Sequence, residues 1–230
     1  MLKLYPDGPT LAALVQPMQA REIGALPRGE DWVYEFLWGG ERVRAVKRAD
    51  GVHLFSREGK DFTNRFPRIA ASVAKLRATN AIIDGEILYL DSCSEEAVKY
   101  LARAADDLAS SRLVFLGYDL LCDNGRDIRH YSLLCRRLLL LALVQGTPIV
   151  VSPFIPGSPE HALAMAIRLG MRGAMAKRSG SSYRPNALTS DWVKLTLGTS
   201  AGTGSRHGFH SRLTGDSRGS NSVSAPLGVS

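Results

Sequence analysis

Cysteine is scarce in this chain, and its scarcity excludes chemistries that depend on clustered thiols. The 230 residues include three cysteines, Cys93, Cys122 and Cys135, which lie far apart along the chain. A disulfide framework or a structural zinc site needs more cysteines at closer spacing. We therefore expect three buried free thiols in a reducing, cytoplasmic compartment.

Long apolar runs are also missing. The most apolar stretch, Leu138–Val144, has seven residues, whereas a membrane-spanning helix needs about 20. We interpret this stretch as a buried segment of a helix. The first ten residues, MLKLYPDGPT, lack the basic and apolar layout of a signal peptide. Both observations favour a cytoplasmic protein.

Positive charge is in excess. The net charge is +7 at pH 7 and the isoelectric point is near 9.5. A cationic surface favours a polyanionic partner, because contacts with phosphates release counterions. A basic surface without any such partner is an equally good explanation of the charge alone.

The composition changes abruptly at Gly198. Residues 1–197 alternate between apolar periodic segments and turns, which predicts one folded domain. Residues 198–230 are rich in Gly and Ser and contain no lysine. Because such a segment cannot bury enough apolar surface to offset its chain entropy, we predict a disordered tail.

Within residues 1–197, strand patterns outnumber helix patterns. Alternating or β-branched residues predict strands at Val33–Leu37, Arg42–Arg48, Val52–Ser56, Ile82–Leu90 and Leu113–Leu121. Helical spacing and capping residues predict helices at Asn64–Leu76, from Ser94 through Leu108, and from Ser158 to Gly170. Strand clusters separated by helices predict an α+β fold with largely antiparallel sheets.

Six sequence blocks share their order and approximate spacing with a known family. They read WVYEFLWGGERV, SREGKDFTNRFP, IIDGEILYLD, LVFLGYDLLCDNGRDIR, GAMAKRSGSSYRP and SDWVKL. Together they make residues from about Pro17 to Leu195 resemble the adenylation domain of ATP-dependent DNA ligases, and most of all the bacterial end-joining type. A match to one block would be weak, but six in order are specific.

The resemblance implies a fold and a reaction. Family members have an ATP-grasp-like nucleotidyltransferase fold, in which two mainly antiparallel sheets enclose ATP. A lysine attacks the α-phosphate to form lysyl-AMP, with Mg²⁺ held by carboxylates, and the AMP then passes to the 5′-phosphate of nicked DNA. A small β-barrel of the OB type usually follows the adenylation domain. We expect it to be absent here, because only the Gly/Ser-rich residues follow.

Four positions depart from the family pattern. Leu37 stands where the family has its nucleophilic lysine, and Gly39 stands where it has an acid. Arg172 replaces a metal-binding glutamate, so a cation occupies the position of a metal ligand. Thr196 replaces the second lysine of the last block. Leucine has no lone pair, so no phosphoramidate can form at position 37.

Other family positions are retained. The resemblance implies nucleotide-binding roles for Arg42, Arg57, Glu86, Tyr118, Lys177 and Lys194, and a metal-binding role for Glu86. Each has a purely structural alternative: a solvated arginine or lysine, a glutamate beside a plain turn, or a core tyrosine.

We therefore expect a ligase-like protein that does not adenylate itself. Lys47 and Lys60 are unsuitable replacements, because attack requires the reacting atoms to lie about 3–3.5 Å apart and both lysines belong to other elements. The alternative from a different functional class is a non-catalytic DNA-binding or scaffold protein that recruits an active ligase. DNA repair is the family role, and nicked duplex DNA, ATP and Mg²⁺ are its partner and cofactors.

Overall fold

The computed structural model describes residues 16–103 and 112–198. The strands are β1 Gln19–Glu22, β2 Trp32–Phe36, β3 Glu41–Arg48, β4 Gly51–Ser56, β5 Ala81–Tyr89, β6 Leu113–Asp123, β7 Arg126–Asp127, β8 Val150–Val151, β9 Gly173–Arg178 and β10 Leu188–Thr196. The helices are α1 Pro67–Ala74, α2 Glu95–Ala102, α3 Leu133–Leu143 and α4 Pro159–Arg168, with a short 3₁₀ turn at Leu90–Ser92.

These strands form two sheets. The smaller sheet has the order β1-β10-β9-β2, and only its β1–β10 pair is parallel. The larger sheet has the order β4-β3-β5-β6-β7 and is antiparallel, with β8 added in parallel to β6. The α+β fold with two mainly antiparallel sheets is therefore confirmed. No helix in the described part of the chain is long and apolar enough to span a membrane.

Local sequence signals explain the helix boundaries. Pro67 occupies the first turn of α1, where its missing N–H removes no helical hydrogen bond. The hydroxyls of Ser94, Ser132 and Ser158 accept hydrogen bonds from backbone N–H groups in the first turns of α2, α3 and α4. Predicted α1 is too long at both ends, and the predicted extension of α2 to Leu108 falls largely outside the described residues.

The interpretation of Leu138–Val144 as a buried segment is wrong in part. The stretch does lie mainly in α3, but Leu138 is 68% exposed and Leu141 is 48% exposed. Consecutive apolar residues point to all sides of a helix, whereas only one face of α3 packs against the rest of the protein. The buried face includes two arginines, Arg136 and Arg137, in addition to Leu133 and Leu140.

The buried arginines join α3 to β6. The Arg136 guanidinium makes paired bonds of 2.7 and 2.8 Å to the carboxylate of Asp119, and both side chains are fully buried. Arg137 donates to the carbonyls of Tyr118 and Ser152. Charges this deep are stable only when they are paired and hydrogen-bonded, and these bonds fix the central part of β6.

The three cysteines are free thiols, as predicted, but only Cys122 is buried. Cys93 and Cys135 are partly exposed, which corrects the expectation of three buried thiols. Cys93 directly follows the 3₁₀ turn, and Cys135 lies on α3 beside its exposed face. Burial raises the pKa of Cys122 to about 11, so this thiol stays protonated at neutral pH.

Candidate functional site

One cavity between the two sheets brings together the candidate residues from the sequence. Its volume is about 390 Å³. β2, β9 and β10 line one side, and β3, β5 and β6 line the other. The positions singled out in the sequence that lie in its lining are Leu37, Gly39, Arg42, Arg57, Glu86, Tyr118, Arg172, Lys177, Lys194 and Thr196. Residues separated by as many as 179 positions along the chain thus meet at one site (Pro17 to Thr196).

Leu37 lies in the turn that joins β2 to β3, at the edge of this cavity. Its N–H donates to the carbonyl of Gly173 at 3.0 Å, and its carbonyl accepts from the N–H of Arg172 at 3.3 Å. The turn is therefore fixed to the start of β9. The side chain is partly buried and offers only hydrocarbon to the cavity.

Gly39 and Arg172 are in close contact. A Cβ added to Gly39 would lie 2.6 Å from Nε of Arg172 and 2.8 Å from its Cδ. Gly39 has φ +81°, a conformation that favours glycine. The space that a side chain at position 39 would occupy is thus filled by the Arg172 side chain.

Glu86 is the carboxylate beside this turn. Its Oε1 atom accepts a 2.6 Å hydrogen bond from the N–H of Gly40. Burial raises the pKa of Glu86, while the Gly40 N–H, the Tyr118 hydroxyl, Arg42 and Arg172 oppose that rise. Glu86 is therefore neither a solvent-facing residue nor an isolated acid, which removes the structural alternative of a carboxylate exposed on a turn.

Arg42 is held by the carboxylate of Asp84. This residue belongs to one of the six sequence blocks but is not among the site residues predicted from the sequence. The Nε and Nη2 atoms of Arg42 donate to the two carboxylate oxygens of Asp84 at 2.8 and 2.5 Å. The Tyr183 hydroxyl donates to Asp84 as well, at 2.9 Å. The guanidinium carbon of Arg42 lies 4.9 Å from the ring centre of Tyr118. Asp84 therefore holds the Arg42 guanidinium against Tyr118, and it raises the pKa of Arg42 despite burial.

Lys177 is paired with Glu35, a residue that the sequence reasoning missed. Nζ of Lys177 lies 2.8 Å from Oε1 of Glu35, and both side chains are almost fully buried. The same Nζ lies 4.4 Å from the ring of Trp192 and 5.0 Å from that of Tyr118. Burial lowers the pKa of Lys177, and Glu35 opposes that decrease. The single acidic residue in the otherwise apolar strand WVYEF is the sequence feature that could have pointed to Glu35.

Arg57 and Lys194 lie nearer the solvent. Arg57 directly follows β4 and is exposed. Nζ of Lys194 lies 3.3 Å from a carboxylate oxygen of Glu22 on the paired strand β1. The lining also includes Pro17–Ala20 and Trp192, which sequence reasoning did not single out. The indole N–H of Trp192 is buried and has no hydrogen-bond acceptor.

The donor set does not fit a divalent metal ion. Of the acids in the part of the chain that the structure describes, only Glu35 and Glu86 line the cavity. Glu35 is paired with Lys177, and one oxygen of Glu86 already accepts from Gly40. Among residues 16–103 and 112–198, no group of three or more His, Cys, Asp or Glu is arranged to hold a metal. Mg²⁺ and Ca²⁺ require several oxygen ligands, and here arginines take their place.

Both the fold and the order of residues around the cavity define a nucleotidyltransferase domain of the ligase class. Residues 9–196 match the family described as ATP dependent DNA ligase domain, and the chain belongs to that family. The sequence blocks indicate the bacterial end-joining type, and the similarity to bacterial LigD proteins confirms it.

Among the similar curated proteins is the multifunctional non-homologous end joining protein LigD of Pseudomonas aeruginosa. It is 33% identical over 184 residues, which are 79% of this chain and 22% of the relative. The LigD of Mycobacterium tuberculosis is 30% identical over 167 residues, covering 73% of this chain and 22% of the relative. The chain thus spans about a fifth of the length of these relatives, 22% in each case.

Solved structures agree with this assignment. The ligase domain of M. tuberculosis LigD superposes with a TM-score of 0.65 at 30% identity, covering 79% of this chain and 59% of that one. A mycobacterial DNA ligase D complexed with ATP and MES gives a TM-score of 0.65 at 27% identity, covering 80% of this chain and 60% of that one.

Proposed function

We propose that this domain binds an adenine nucleotide without forming a covalent bond to it. The observation that carries the proposal is Leu37, a hydrocarbon side chain at the family position of the lysine that attacks ATP. The cavity around it retains Arg42, Arg57, Tyr118, Lys177 and Lys194 of the family pattern. The domain therefore retains side chains that recognise a nucleotide but lacks the side chain that would form a covalent bond to it.

The lining of the cavity suits an anionic nucleotide. Among the described residues, five cationic side chains and two carboxylates line it: Arg42, Arg57, Arg172, Lys177 and Lys194, with Glu35 and Glu86. Tyr118 and Trp192 add aromatic surface, and the unpartnered indole N–H of Trp192 is a donor without an acceptor in this structure. The ATP complex of a mycobacterial DNA ligase D supports the choice of ligand.

None of the lysines in residues 16–103 and 112–198 is placed to replace the missing nucleophile. Nζ of Lys47 donates to the carbonyls of Ala74 and Leu76 and is not in the cavity lining. Lys177 and Lys194 do line the cavity, but each forms an ion pair with a glutamate. Lys60 is exposed on the loop after β4 and is not in the lining either.

Equilibrium dialysis with α-labelled ATP, followed by a denaturing gel, tests the proposal. We expect label on the native protein and none on the denatured chain. Arg57→Ala should weaken binding about tenfold, as expected for loss of a hydrogen bond from a charged group. Lys60→Ala is the matched control on the same loop and should leave affinity unchanged. A covalent band, or no binding to the native protein, would refute the proposal.

A second candidate is a non-catalytic DNA-binding or scaffold protein. The net charge of +7 favours it, as do three exposed leucines on one face of α3, Leu134, Leu138 and Leu141. An exposed apolar patch often marks a protein interface. Salt-dependent binding to nicked duplex DNA, measured with and without an active ligase, tests this candidate. Equal affinity at low and high salt would argue against phosphate contacts.

A further inference from the structure

We propose that Arg172 takes the place of a divalent metal, so that a nucleotide binds in this cavity without magnesium. The inference rests on the proposed function and specifies its electrostatics. The ligand class is a nucleoside polyphosphate whose charge is neutralised by a guanidinium instead of a metal ion. Three features of the described residues lead to this proposal. The carboxylates that line the cavity already have partners, Arg172 borders the cavity, and Gly39 has no side chain.

The carboxylates of the cavity have other partners. Oε1 of Glu35 lies 2.8 Å from Nζ of Lys177 and 3.7 Å from Nη1 of Arg137. Oε1 of Glu86 lies 2.6 Å from the N–H of Gly40. Arg42 and Arg172 also act on Glu86 electrostatically, both favouring its charged form. A metal ion here would have to displace these partners and approach two arginines, and like charges repel strongly at such distances.

Arg172 is held by its backbone and leaves its side chain available. Its N–H donates to the carbonyl of Leu37 at 3.3 Å, and its carbonyl accepts from the N–H of Leu197 at 2.8 Å. The residue is exposed, and its side chain borders the cavity. A guanidinium presents several donors in a fixed plane and binds phosphate oxygens in pairs.

Gly39 makes this arrangement possible. A side chain at position 39 would displace the Arg172 side chain, because the nearest distance from an added Cβ would be 2.6 Å. An acid at position 39, as in the family pattern, would also neutralise the guanidinium. The two departures from the family pattern are therefore compatible with each other, and together they place a cation beside Glu86.

The test is ATP affinity of the full chain in excess MgCl₂ and in excess EDTA. For the unmodified protein we expect dissociation constants within about twofold of each other. Arg172→Gln should weaken binding in EDTA by about tenfold or more, which is the effect of losing one charge-assisted hydrogen bond. Arg172→Lys should keep most of the affinity, because it keeps the charge.

Arg77→Gln provides the matched control. Arg77 is exposed and does not line the cavity, so its loss removes the same charge from the protein but not from the site. We expect no change in affinity, and intrinsic tryptophan fluorescence should show both glutamine variants folded. Equal weakening by Arg77→Gln and Arg172→Gln would mean that only net charge matters, and it would overturn the proposal.

The outcomes separate this inference from the proposed function. Binding that requires magnesium would overturn the role of Arg172 and leave reversible nucleotide binding intact. Absence of binding in both MgCl₂ and EDTA would overturn the proposed function, and the inference with it. If ATP binds without metal and Arg172→Gln leaves that affinity unchanged, other cations neutralise the phosphates. That result would overturn the role of Arg172.

Discussion

The side chain of Arg172 occupies the space that a side chain on Gly39 would need. A Cβ on Gly39 would lie 2.6 Å from Nε of Arg172, and Gly39 has φ +81°. Glycine at position 39 is thus favoured by its backbone conformation, and the flexible Arg172 side chain fills the space beside it. This contact links two departures from the family pattern that are 133 positions apart (39 to 172).

Gly39→Ala, compared with a control variant, distinguishes the stability cost of backbone strain from the cost of the contact with Arg172. We expect Gly39→Ala to lower the free energy of unfolding by about 1–2 kcal/mol, the cost of a left-handed non-glycine residue. Gly146 is the matched control, since it has φ +73° and no atom within 4 Å of an added Cβ. Gly146→Ala should have a similar cost, because the exposed Arg172 side chain can move aside.

Affinity for ATP should distinguish the same two variants. Gly39→Ala should weaken binding because it displaces Arg172, whereas Gly146→Ala should not. Urea denaturation and equilibrium dialysis provide the two measurements. Unchanged affinity in Gly39→Ala would contradict the functional importance of the contact.

Tyr183→Phe tests how β1 is attached to the larger sheet. The Tyr183 hydroxyl accepts from the N–H of Met18 at 2.9 Å and donates to Asp84 at 2.9 Å. Loss of the hydroxyl leaves a buried N–H unsatisfied, so we expect a loss of about 1–3 kcal/mol in urea denaturation. Tyr89→Phe, at an exposed tyrosine, should change stability by less than about 0.5 kcal/mol. Equal effects would show that the buried hydroxyl stabilises nothing.

The pH dependence of stability should reveal the buried carboxylate of Glu86. Burial raises its pKa in the folded protein above the ordinary 4.5. The folded state then holds the proton more tightly, so stability from this group is complete below pH 4.5 and is lost as pH rises through the raised pKa. Glu86→Gln removes this titration.

The measurement is urea denaturation of the unmodified protein and Glu86→Gln at several pH values from acid to neutral. The stability of the unmodified protein relative to the variant should fall as pH rises. Ordinary titrations shared by both proteins cancel in this difference. A flat or rising difference would mean that the pKa of Glu86 is not raised.

Restoring the family residues should restore some chemistry. The triple variant Leu37→Lys, Gly39→Asp, Arg172→Glu returns the nucleophile and two acids to the cavity and removes the cation that would clash with Asp at position 39. We expect partial formation of covalent adenylate, limited by strain at φ +81°. Leu37→Lys alone should give less, because Arg172 remains in place. Equal yields would show that the acids contribute nothing.

The sequence predicted much of the site and less of what supports it. The blocks that resemble the ligase family contain Leu37, Arg42, Glu86, Tyr118 and Lys177, and the structure places all five around one cavity. This succeeded because the order of blocks carries tertiary information that local periodicity lacks. The assignment of a nucleotide-binding role to each residue stays a prediction.

The supporting ion pairs could not be predicted in the same way. Arg136 and Arg137 belong to an apolar stretch, and their burial depends on Asp119 and on carbonyls of distant segments. Glu35 is buried for the same reason, since Lys177 approaches from another strand. A hydrophobic pattern along the sequence does not show which charged residues will be paired in the folded protein. The same limit explains the error at Leu138, which lies on the outer face of α3.

The intact mass of the purified chain after incubation with ATP and magnesium tests the central claim most directly. We predict a mass identical to that of a sample kept without ATP, because Leu37 cannot bond to phosphorus. The Leu37→Lys, Gly39→Asp, Arg172→Glu variant serves as the positive control and should gain the mass of one AMP. The same gain in the unmodified chain would contradict the account.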